Sequence, residues 1–457
     1  MSQSSNPLPA PTELTAQVTE GRFKRVLGVP SLVLFGLVYM VPLTCFTTYG
    51  IVTQLTGGRV PLAYVVTLVA MLFTARSYAR MSVAYPYSGS AYVYTQQSFG
   101  GATGFLVGWA LLLDYLFLPM INYLIIGLYM NSVVPAIPNW VWIVVSIVLV
   151  TVLNVIGIIS VARANIAIVA VQTVFIVVFL VMAVSAATGH GVDPLLPFRG
   201  DGTVDAVGTV FQGAAILCLS FLGFDSVSTL AEEAKDSKRA IPIAIMFVTV
   251  LAGLLFILIT YFAQLAYPSN AFTSADTASL EVVASIGGQW LSALFIAGFM
   301  AGGLGSALTS QASVGRILFA MGRDGVLPRP IFGRLNARFG TPAIAILVVS
   351  VVSLLAIVFD LLTLSNMISF GALIAFSFVN LSVIKHYFAD RKERSGGQVF
   401  NNLVLPLIGF GLTVWLWTSL SGVTFLIGLS WLAVGFVILL VITRFFQRPT
   451  PTLDLKE

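Results

Sequence analysis

Residues 218–236 read CLSFLGFDSVSTLAEEAKD and place one acid, Asp225, near the end of an apolar run that begins at about residue 207. Glu233 and Lys235 then mark a polar rim. A carboxylate inside a bilayer costs roughly 2.5–3.5 kcal/mol on insertion scales. Since such a residue is kept where it faces a cavity or a partner, Asp225 indicates a functional site within a membrane helix.

The whole chain has the composition of a membrane protein. Of 457 residues, 58% are hydrophobic and 9% are charged, whereas about 25% of residues in soluble domains are charged. Apolar runs of about 20 residues, enough to cross a bilayer, recur along the chain. They are continuous rather than alternating, which excludes a β-barrel, and each is predicted to be a helix because lipid offers no backbone partners. The sequence therefore predicts an all-α polytopic membrane protein with twelve transmembrane helices, numbered spans 1 to 12: 28–54, 61–83, 103–132, 139–160, 164–187, 207–231, 240–266, 285–321, 342–359, 362–387, 402–419 and 424–444.

The basic residues orient this predicted bundle. Of 23 Lys and Arg residues, all but Arg59 and Arg199 fall on the side of the two termini. By the positive-inside rule that side is cytoplasmic, so both termini are predicted to lie in the cytoplasm and the helices in a bacterial inner membrane. The net charge of +5 is then a signature of topology, and no nucleic-acid partner is expected.

The spans divide into two candidate repeats, spans 1–5 and spans 6–10, which match in pattern rather than in residue identity. Two further helices and two polar tails complete the chain. The predicted organisation is a cytoplasmic tail over 1–27, a core over 28–387 with repeats at about 28–187 and 207–387, two additional helices over 402–444, and a cytoplasmic tail over 445–457.

The sequence lacks the residue patterns of disulfide-stabilised, metal-binding and catalytic proteins. The only cysteines, Cys45 and Cys218, fall within spans, so no disulfide framework is expected. There is no metal-ligand cluster, phosphate-binding Gly loop or Ser/His/Asp set. We therefore expect no enzyme and no bound metal or cofactor.

Two spans carry the residues of an interrupted helix. Span 1 contains YMVPLTCFTTYGI over 39–51, and span 6 contains CLSFLGFDS over 218–226. Proline and clustered hydroxyls are poorly suited to a continuous membrane helix, although such residues also produce simple kinks. Breaks at corresponding positions of two repeats favour a transporter site, because half-helix ends can hold an ion or polar solute near the midplane. The candidate binding residues in these segments are Thr44, Thr47, Thr48, Tyr49 and Gly50 of span 1, and Ser220, Phe221, Gly223, Phe224 and Asp225 of span 6.

Span 3 supplies a second buried acid, Asp114, next to Tyr115. No Lys or Arg occupies a span interior to neutralise either acid. A cationic substrate, or a proton carried by Asp114 or Asp225, explains this uncompensated negative charge, and an anionic substrate does not. The rings of Tyr115, Tyr49, Phe221 and Phe224 are candidate partners for an ammonium group, although any one Phe also suits ordinary packing.

The chain resembles the amino acid–polyamine–organocation transporter superfamily, and within it is most similar to bacterial putrescine importers. The resemblance covers nearly the whole length, in PYSGSAYVYTQQS before span 3, GWALLLDYLFLPMIN in span 3, CLSFLGFDSVSTLAEEAKDSKRAIPIAI across span 6, SVGRILFAMGRDGVLP after span 8 and ISFGALIAFSFVNLSV in span 10. It implies a five-plus-five inverted repeat with two extra helices, in which helices 1 and 6 are broken and helices 1, 3, 6, 8 and 10 surround the substrate.

The resemblance also assigns residues. The family's helix-3 pair falls on Asp114 and Tyr115, its helix-6 acid falls on Asp225, and Gly223 sits at the unwound point. The chain departs from the putrescine importers at Thr47, where they carry an acid in helix 1. The expected function is import of a putrescine-like amine, and an amino acid permease or exchanger of the same fold is the alternative. The expected partners are that small molecule and the lipid bilayer, and the oligomeric state is left open.

The coupling ion is predicted less directly. The similar importers are proton-driven, which favours H⁺ coupling through Asp114 or Asp225. Sodium is the alternative, with oxygens from span 8 at Ser306, Thr309 and Ser310. Small hydroxyl residues also allow close helix packing, which is the favoured interpretation of these three.

Overall fold

The computed structural model describes residues 25, 27–87, 90–156, 161–191, 193–231, 233–323, 327–336, 339–448 and 450. Most of the predicted tails, 1–27 and 445–457, lies outside these residues. Within them the chain is helical, and the one β-bridge joins Leu27 to Ala234.

Helices cover the predicted spans, as the composition requires. Eight spans contain a main α-helix without a central break: Val60–Ala84 in span 2, Gly101–Val133 in span 3, Asn139–Ile156 in span 4, Val161–His190 in span 5, Ser237–Ala266 in span 7, Leu361–Val383 in span 10, Leu405–Thr418 in span 11 and Gly422–Ile442 in span 12. Span 8 is Ala278–Arg323, kinked at Gly288. Shorter helices follow the connections, at Ser90–Phe99, Leu196–Arg199, Arg329–Phe332 and Gly396–Val399.

Eleven helical stretches among the described residues are long and apolar enough to cross a membrane. The predicted ninth span, 342–359, is shorter: its α-helix Ala343–Ser353 tightens into a 3₁₀ turn over Leu354–Ile357. The all-α, polytopic architecture is confirmed, and the count of twelve crossings stays a prediction.

Spans 1 and 6 are both interrupted, as predicted. Span 1 is an α-helix over Val29–Met40, a 3₁₀ helix over Pro42–Phe46 and an α-helix over Tyr49–Thr56. Span 6 is an α-helix over Ala206–Leu217, followed by 3₁₀ segments Cys218–Phe221 and Ser226–Leu230. Hydroxyl groups satisfy the freed carbonyls, since Thr44 Oγ1 donates to the oxygen of Met40 at 2.5 Å and Ser226 Oγ donates to the oxygen of Gly223 at 2.7 Å.

The two breaks touch each other. Gly223 has φ = 132°, and a Cβ atom there would lie 2.6 Å from Cγ and 3.1 Å from the backbone nitrogen of Met40. Only glycine allows this approach and this backbone conformation. Span 1 and span 6 are therefore interrupted at the same level of the bundle.

Both ends of the broken helices are closed. At one end a Cβ on Gly50 would lie 2.3 Å from the backbone oxygen of Ala275, so span 1 packs directly against the start of span 8. At the other end the nitrogen of Leu27 donates to the oxygen of Glu233, and the nitrogen of Lys235 donates to the oxygen of Leu27, each at 3.0 Å. Close backbone contacts therefore hold span 1 at both ends, and we call this arrangement the closed conformation.

The last two spans lie at the edge of the bundle. Span 12 is joined to span 3 by two tryptophans whose rings stack at 4.8 Å, Trp109 and Trp431. Each indole Nε1 donates to the backbone oxygen of the other residue at 2.8 Å. The two hydrogen bonds and the ring stacking hold span 12 against span 3, the helix that carries Asp114.

Candidate functional site

Two buried carboxylates form the centre of the site. Asp114 of span 3 and Asp225 of span 6 are each 2% exposed, and they lie close enough to interact electrostatically. Asp225 Oδ1 accepts a hydrogen bond from the backbone nitrogen of Gly223 at 3.2 Å. Among the described residues, Asp225 Oδ2 and Asp114 Oδ1 have no hydrogen-bond partner, and neither acid forms an ion pair. The two acids therefore retain acceptor capacity for a cation or a proton.

Four buried tyrosines accompany the acids. Tyr115, a residue predicted from the sequence, lies near both carboxylates. Tyr39, Tyr78 and Tyr94 also lie near Asp225, and none of these three was predicted. Tyr39 lies in the break of span 1 and Tyr94 lies in the PYSGSAYVYTQQS motif, so both belong to segments that the sequence analysis identified. The sequence does not indicate that these segments contact each other.

A small cavity lies beside this cluster. Its volume is ≈ 20 Å³, which is room for about one water. The cavity is bounded by spans 1, 3, 6 and 8, and its lining residues are Tyr39, Met40, Val41, Thr44, Thr47, Leu118, Ile121, Asn122, Ile125, Leu219, Leu222, Phe299 and Ser306. This cavity is too small to hold an organic substrate.

Tyr39 connects the cavity to the acids. It lines the cavity and interacts electrostatically with Asp114 and Asp225, and its hydroxyl has no hydrogen-bond partner among the described residues. Asn122, which sequence reasoning also missed, donates from Nδ2 to the backbone oxygen of Leu118 at 2.8 Å and to Ser306 Oγ at 3.1 Å. The cavity thus has polar groups from spans 1, 3 and 8.

The predicted threonines of span 1 divide into two groups. Thr44 and Thr47 line the cavity, although their hydroxyls also donate to backbone carbonyls one turn earlier. Thr48 is fully buried, and its hydroxyl has no partner in the described part of the chain. Thr47, the position at which the family's putrescine importers carry an acid, therefore faces the cavity.

Tyr49 and Gly50 are not among the cavity-lining residues. The hydroxyl of Tyr49 donates to Gln264 Oε1 of span 7 at 3.0 Å. Gly50 packs against Ala275 at the start of span 8, as described above. Their present contacts are those of helix packing on the far side of the break.

The predicted residues of span 6 pack mainly against neighbouring helices. Ser220 Oγ lies 2.9 Å from the hydroxyl of Tyr64, and the ring of Phe221 meets that of Phe256 edge-on at 5.6 Å. Phe224 meets Tyr78, a member of the tyrosine cluster, at 5.6 Å. Phe224 therefore contacts a tyrosine that lies near Asp225, whereas Phe221 packs against Phe256 of span 7.

The oxygens of span 8 are only partly available for sodium. Ser306 lines the cavity and is bonded to Asn122. Thr309 and Ser310 donate their hydroxyls to the oxygens of Gly305 and Ser306, at 2.9 and 2.6 Å. A hydroxyl that donates still has lone pairs for a cation, so the choice of coupling ion stays a prediction.

Comparison with known proteins relates this arrangement to transporters. A family model described as amino acid permease matches residues 31–454. The low-affinity putrescine importer of Escherichia coli (strain K12) is 40% identical over 96% of this chain and 98% of its own length. The branched-chain amino acid permease and the methylthioribose transporter of Bacillus subtilis (strain 168) are 26% and 25% identical, each over 94% of this chain and 96% of their own length.

The family match spans nearly every helix described above, including both breaks and spans 11 and 12. It also agrees with the helical, polytopic fold. Proteins of this family are membrane transporters rather than enzymes. The chain belongs to the amino acid permease family.

Proposed function

We propose that this protein is a secondary transporter that imports an organic amine, putrescine or a close relative, across the bacterial inner membrane. The observation that carries the proposal is the pair of buried acids, Asp114 and Asp225, which have free carboxylate oxygens and no cationic partner among the described residues. The identity to a putrescine importer over almost the full length supports the same substrate class.

The site chemistry suits an ammonium group. Asp225 Oδ2 and Asp114 Oδ1 offer charged acceptors, and a charge-assisted hydrogen bond is roughly twice as strong as a neutral one. Tyr39 offers its free hydroxyl oxygen, and the ring of Tyr115 offers a cation–π surface. An ammonium bound here would replace its lost hydration with contacts from spans 1, 3 and 6.

Alternating access would proceed by movement around the paired breaks. Opening to one side would separate Gly50 from Ala275, and opening to the other would separate Leu27 from Ala234. The cavity in the closed conformation holds about one water. Substrate binding would therefore require the broken segments to move apart and then close over the amine.

A proton is the favoured coupling ion. An acid with no basic partner can carry either the substrate ammonium or a proton, so one carboxylate could serve the amine while the other is protonated. The positive-inside distribution supports a bundle with both termini in the cytoplasm.

Uptake into proteoliposomes tests the assigned roles. Labelled putrescine should accumulate under an imposed pH gradient, inside alkaline, and Asp114→Asn or Asp225→Asn should reduce the rate at least tenfold. Asp390→Asn is the matched control, because Asp390 is exposed and pairs with Lys385. Unchanged uptake in both buried-acid variants, with normal uptake by the control, would show that these acids do not bind the amine.

An amino acid permease or exchanger of the same fold is the second candidate. Thr47 is neutral and faces the cavity, which weakens the case for a dication, and a branched-chain amino acid permease is among the relatives. Counterflow separates the two candidates. Liposomes loaded with unlabelled putrescine should take up labelled putrescine, whereas counterflow seen only with labelled amino acid in liposomes loaded with that amino acid would favour the alternative.

A further inference from the structure

Two arginines near the end of span 2 keep their full charge. Arg76 and Arg80 are four residues apart and lie on one face of the helix. Arg76 Nη2 donates to Asn401 Oδ1 at 2.6 Å, and Arg80 Nη2 donates to Asn402 Oδ1 at 2.7 Å. These partners are neutral amides, and among the described residues neither arginine forms an ion pair. The two amide hydrogen bonds therefore hold the guanidinium groups in place without compensating their positive charge.

Three buried nitrogens of the arginine pair and of His386 have no hydrogen-bond partner among the described residues. They are the Nε atoms of Arg76 and Arg80 and the Nε2 atom of His386. The other ring nitrogen of His386, Nδ1, lies 2.8 Å from the hydroxyl of Tyr85. A guanidinium group can only donate hydrogen bonds, and a buried donor left unpaired costs about 1–3 kcal/mol. The missing partner is therefore an acceptor, and an anion suits two full positive charges.

The cluster is held in place by aromatic stacking. The Arg80 guanidinium carbon lies 4.1 Å from the ring centre of Tyr387, and that of Arg391 lies 5.6 Å from it. The Tyr387 hydroxyl donates to the backbone oxygen of Arg80 at 3.1 Å. Arginine suits such a site because its planar fork is pre-organised for bidentate binding of phosphate.

The end of the span 10 helix and the start of the span 11 helix, which both contact span 2, have an unusual backbone. Residues Ile384–Asp390 and Phe400–Val404 are both π-helical, and they pack against each other. Short π-helical segments occur frequently at functional sites. Two acids lie nearby without forming an ion pair to Arg76 or Arg80 among the described residues: Glu393 accepts from Asn402 Nδ2 at 3.3 Å, and Asp390 pairs with Lys385.

We propose that Arg76, Arg80 and His386 form a binding site for a phosphate group at this end of the bundle. The phosphate would belong to the headgroup of an anionic phospholipid or to free inorganic phosphate, which present the same acceptor oxygens. A basic pocket between transmembrane helices, at the side where Lys and Arg are concentrated, is a recognised environment for such headgroups. The site is separate from the acid cluster, and it does not depend on which solute is transported.

The test uses the full-length protein in phosphatidylcholine nanodiscs and measures its melting temperature. Replacing part of the lipid with phosphatidylglycerol, or adding millimolar inorganic phosphate, should raise Tm by about 3 °C or more. A rise with phosphatidylglycerol alone assigns the site to lipid, and a rise with inorganic phosphate assigns it to the free anion. No rise with either probe would overturn the proposal.

Variants locate the effect. The double substitution Arg76→Gln and Arg80→Gln should abolish most of the rise, whereas Arg239→Gln should preserve it. Arg239 is the matched control because it is exposed at the start of span 7, at the same end of the bundle. An equal loss in the control would show that net charge alone governs the response, and the proposal would fail.

A measurement on the unaltered protein removes any dependence on the folding of the variants. A photoactivatable phosphatidylglycerol should label peptides within residues 76–87 or 384–402. Labelling confined to other segments would contradict the site.

Discussion

Replacing Gly223 by alanine should separate the two helix breaks. The residue has φ = 132°, and a side chain held in so sparsely populated a conformation costs about 1–3 kcal/mol. The new Cβ would also lie 2.6 Å from Cγ of Met40 and 3.1 Å from its backbone nitrogen. The Met40 side chain can turn away, but its backbone cannot. A destabilisation of about 1–3 kcal/mol in the closed conformation corresponds to about a 5- to 150-fold loss of its population.

Initial uptake rates at equal protein density measure this loss, and the melting temperature separates it from unfolding. Gly202→Ala is the first control, since Gly202 also has a positive φ, 78°, but a Cβ there meets nothing within 4 Å. Gly411→Ala is the second, because it adds a methyl group in open space at a helical position. We expect Gly223→Ala to lose uptake well beyond either control. Wild-type uptake by Gly223→Ala, or an equal loss in Gly202→Ala, would refute the contact between the breaks as the cause.

Three further predictions concern other parts of the molecule. Hydrogen bonding from a threonine side chain lowers the pKa of Asp201. The stability that ionised Asp201 contributes is therefore present above the ordinary carboxyl pKa of about 3.9 and is lost as pH falls through the lower pKa of the folded protein. Tm should drop more below about pH 4 in the wild type than in Asp201→Asn, and parallel curves of Tm against pH for the two proteins would contradict this. Trp109→Phe and Trp431→Phe should each lower stability by about 0.5–1.5 kcal/mol through the loss of one hydrogen bond. An unchanged Tm in both single variants would show that these hydrogen bonds do not stabilise the protein. Cys45 and Cys218 are both 0% exposed, so N-ethylmaleimide should label them only after unfolding, and rapid labelling of the native protein would disprove their burial.

The architecture follows from local features of the sequence. Long apolar runs specify helices because lipid leaves the backbone no other partner. Pro42 and the surrounding threonines predict the break in span 1, and Gly223 with its neighbouring serines predicts the break in span 6. These signals are short-range, so they can be recognised without knowing which helices meet.

The shape of the site depends on contacts between distant segments. Tyr78 lies on span 2 and Tyr94 on a short helix before span 3, yet both interact with Asp225 of span 6. Nothing in their own neighbourhoods identifies that partner. Gly50 shows the converse, because a glycine beside a break suggested substrate contact, and the close approach of Ala275 accounts for it by packing.

Span 9 shows a different limit. The hydropathy of 342–359 is that of a crossing helix, but the structure tightens into a 3₁₀ turn after Ser353. The composition of a segment gives its apolar character, whereas the distance that the segment spans depends on the rise per residue of the helix it forms. A prediction made from apolar character alone therefore misses where a helix changes its geometry.

The bridge between Leu27 and Ala234 is formed by main-chain atoms alone. These hydrogen bonds do not depend on side-chain identity, and they persist through any substitution that preserves the packing of buried Ala234 and keeps the backbone N–H groups. Selection on this contact would act on the spacing between the bridge and the helices beside it, because an inserted or deleted residue would shift the register. Proline at Leu27 or Lys235 would delete one of the two donors while leaving the rest of the chain intact.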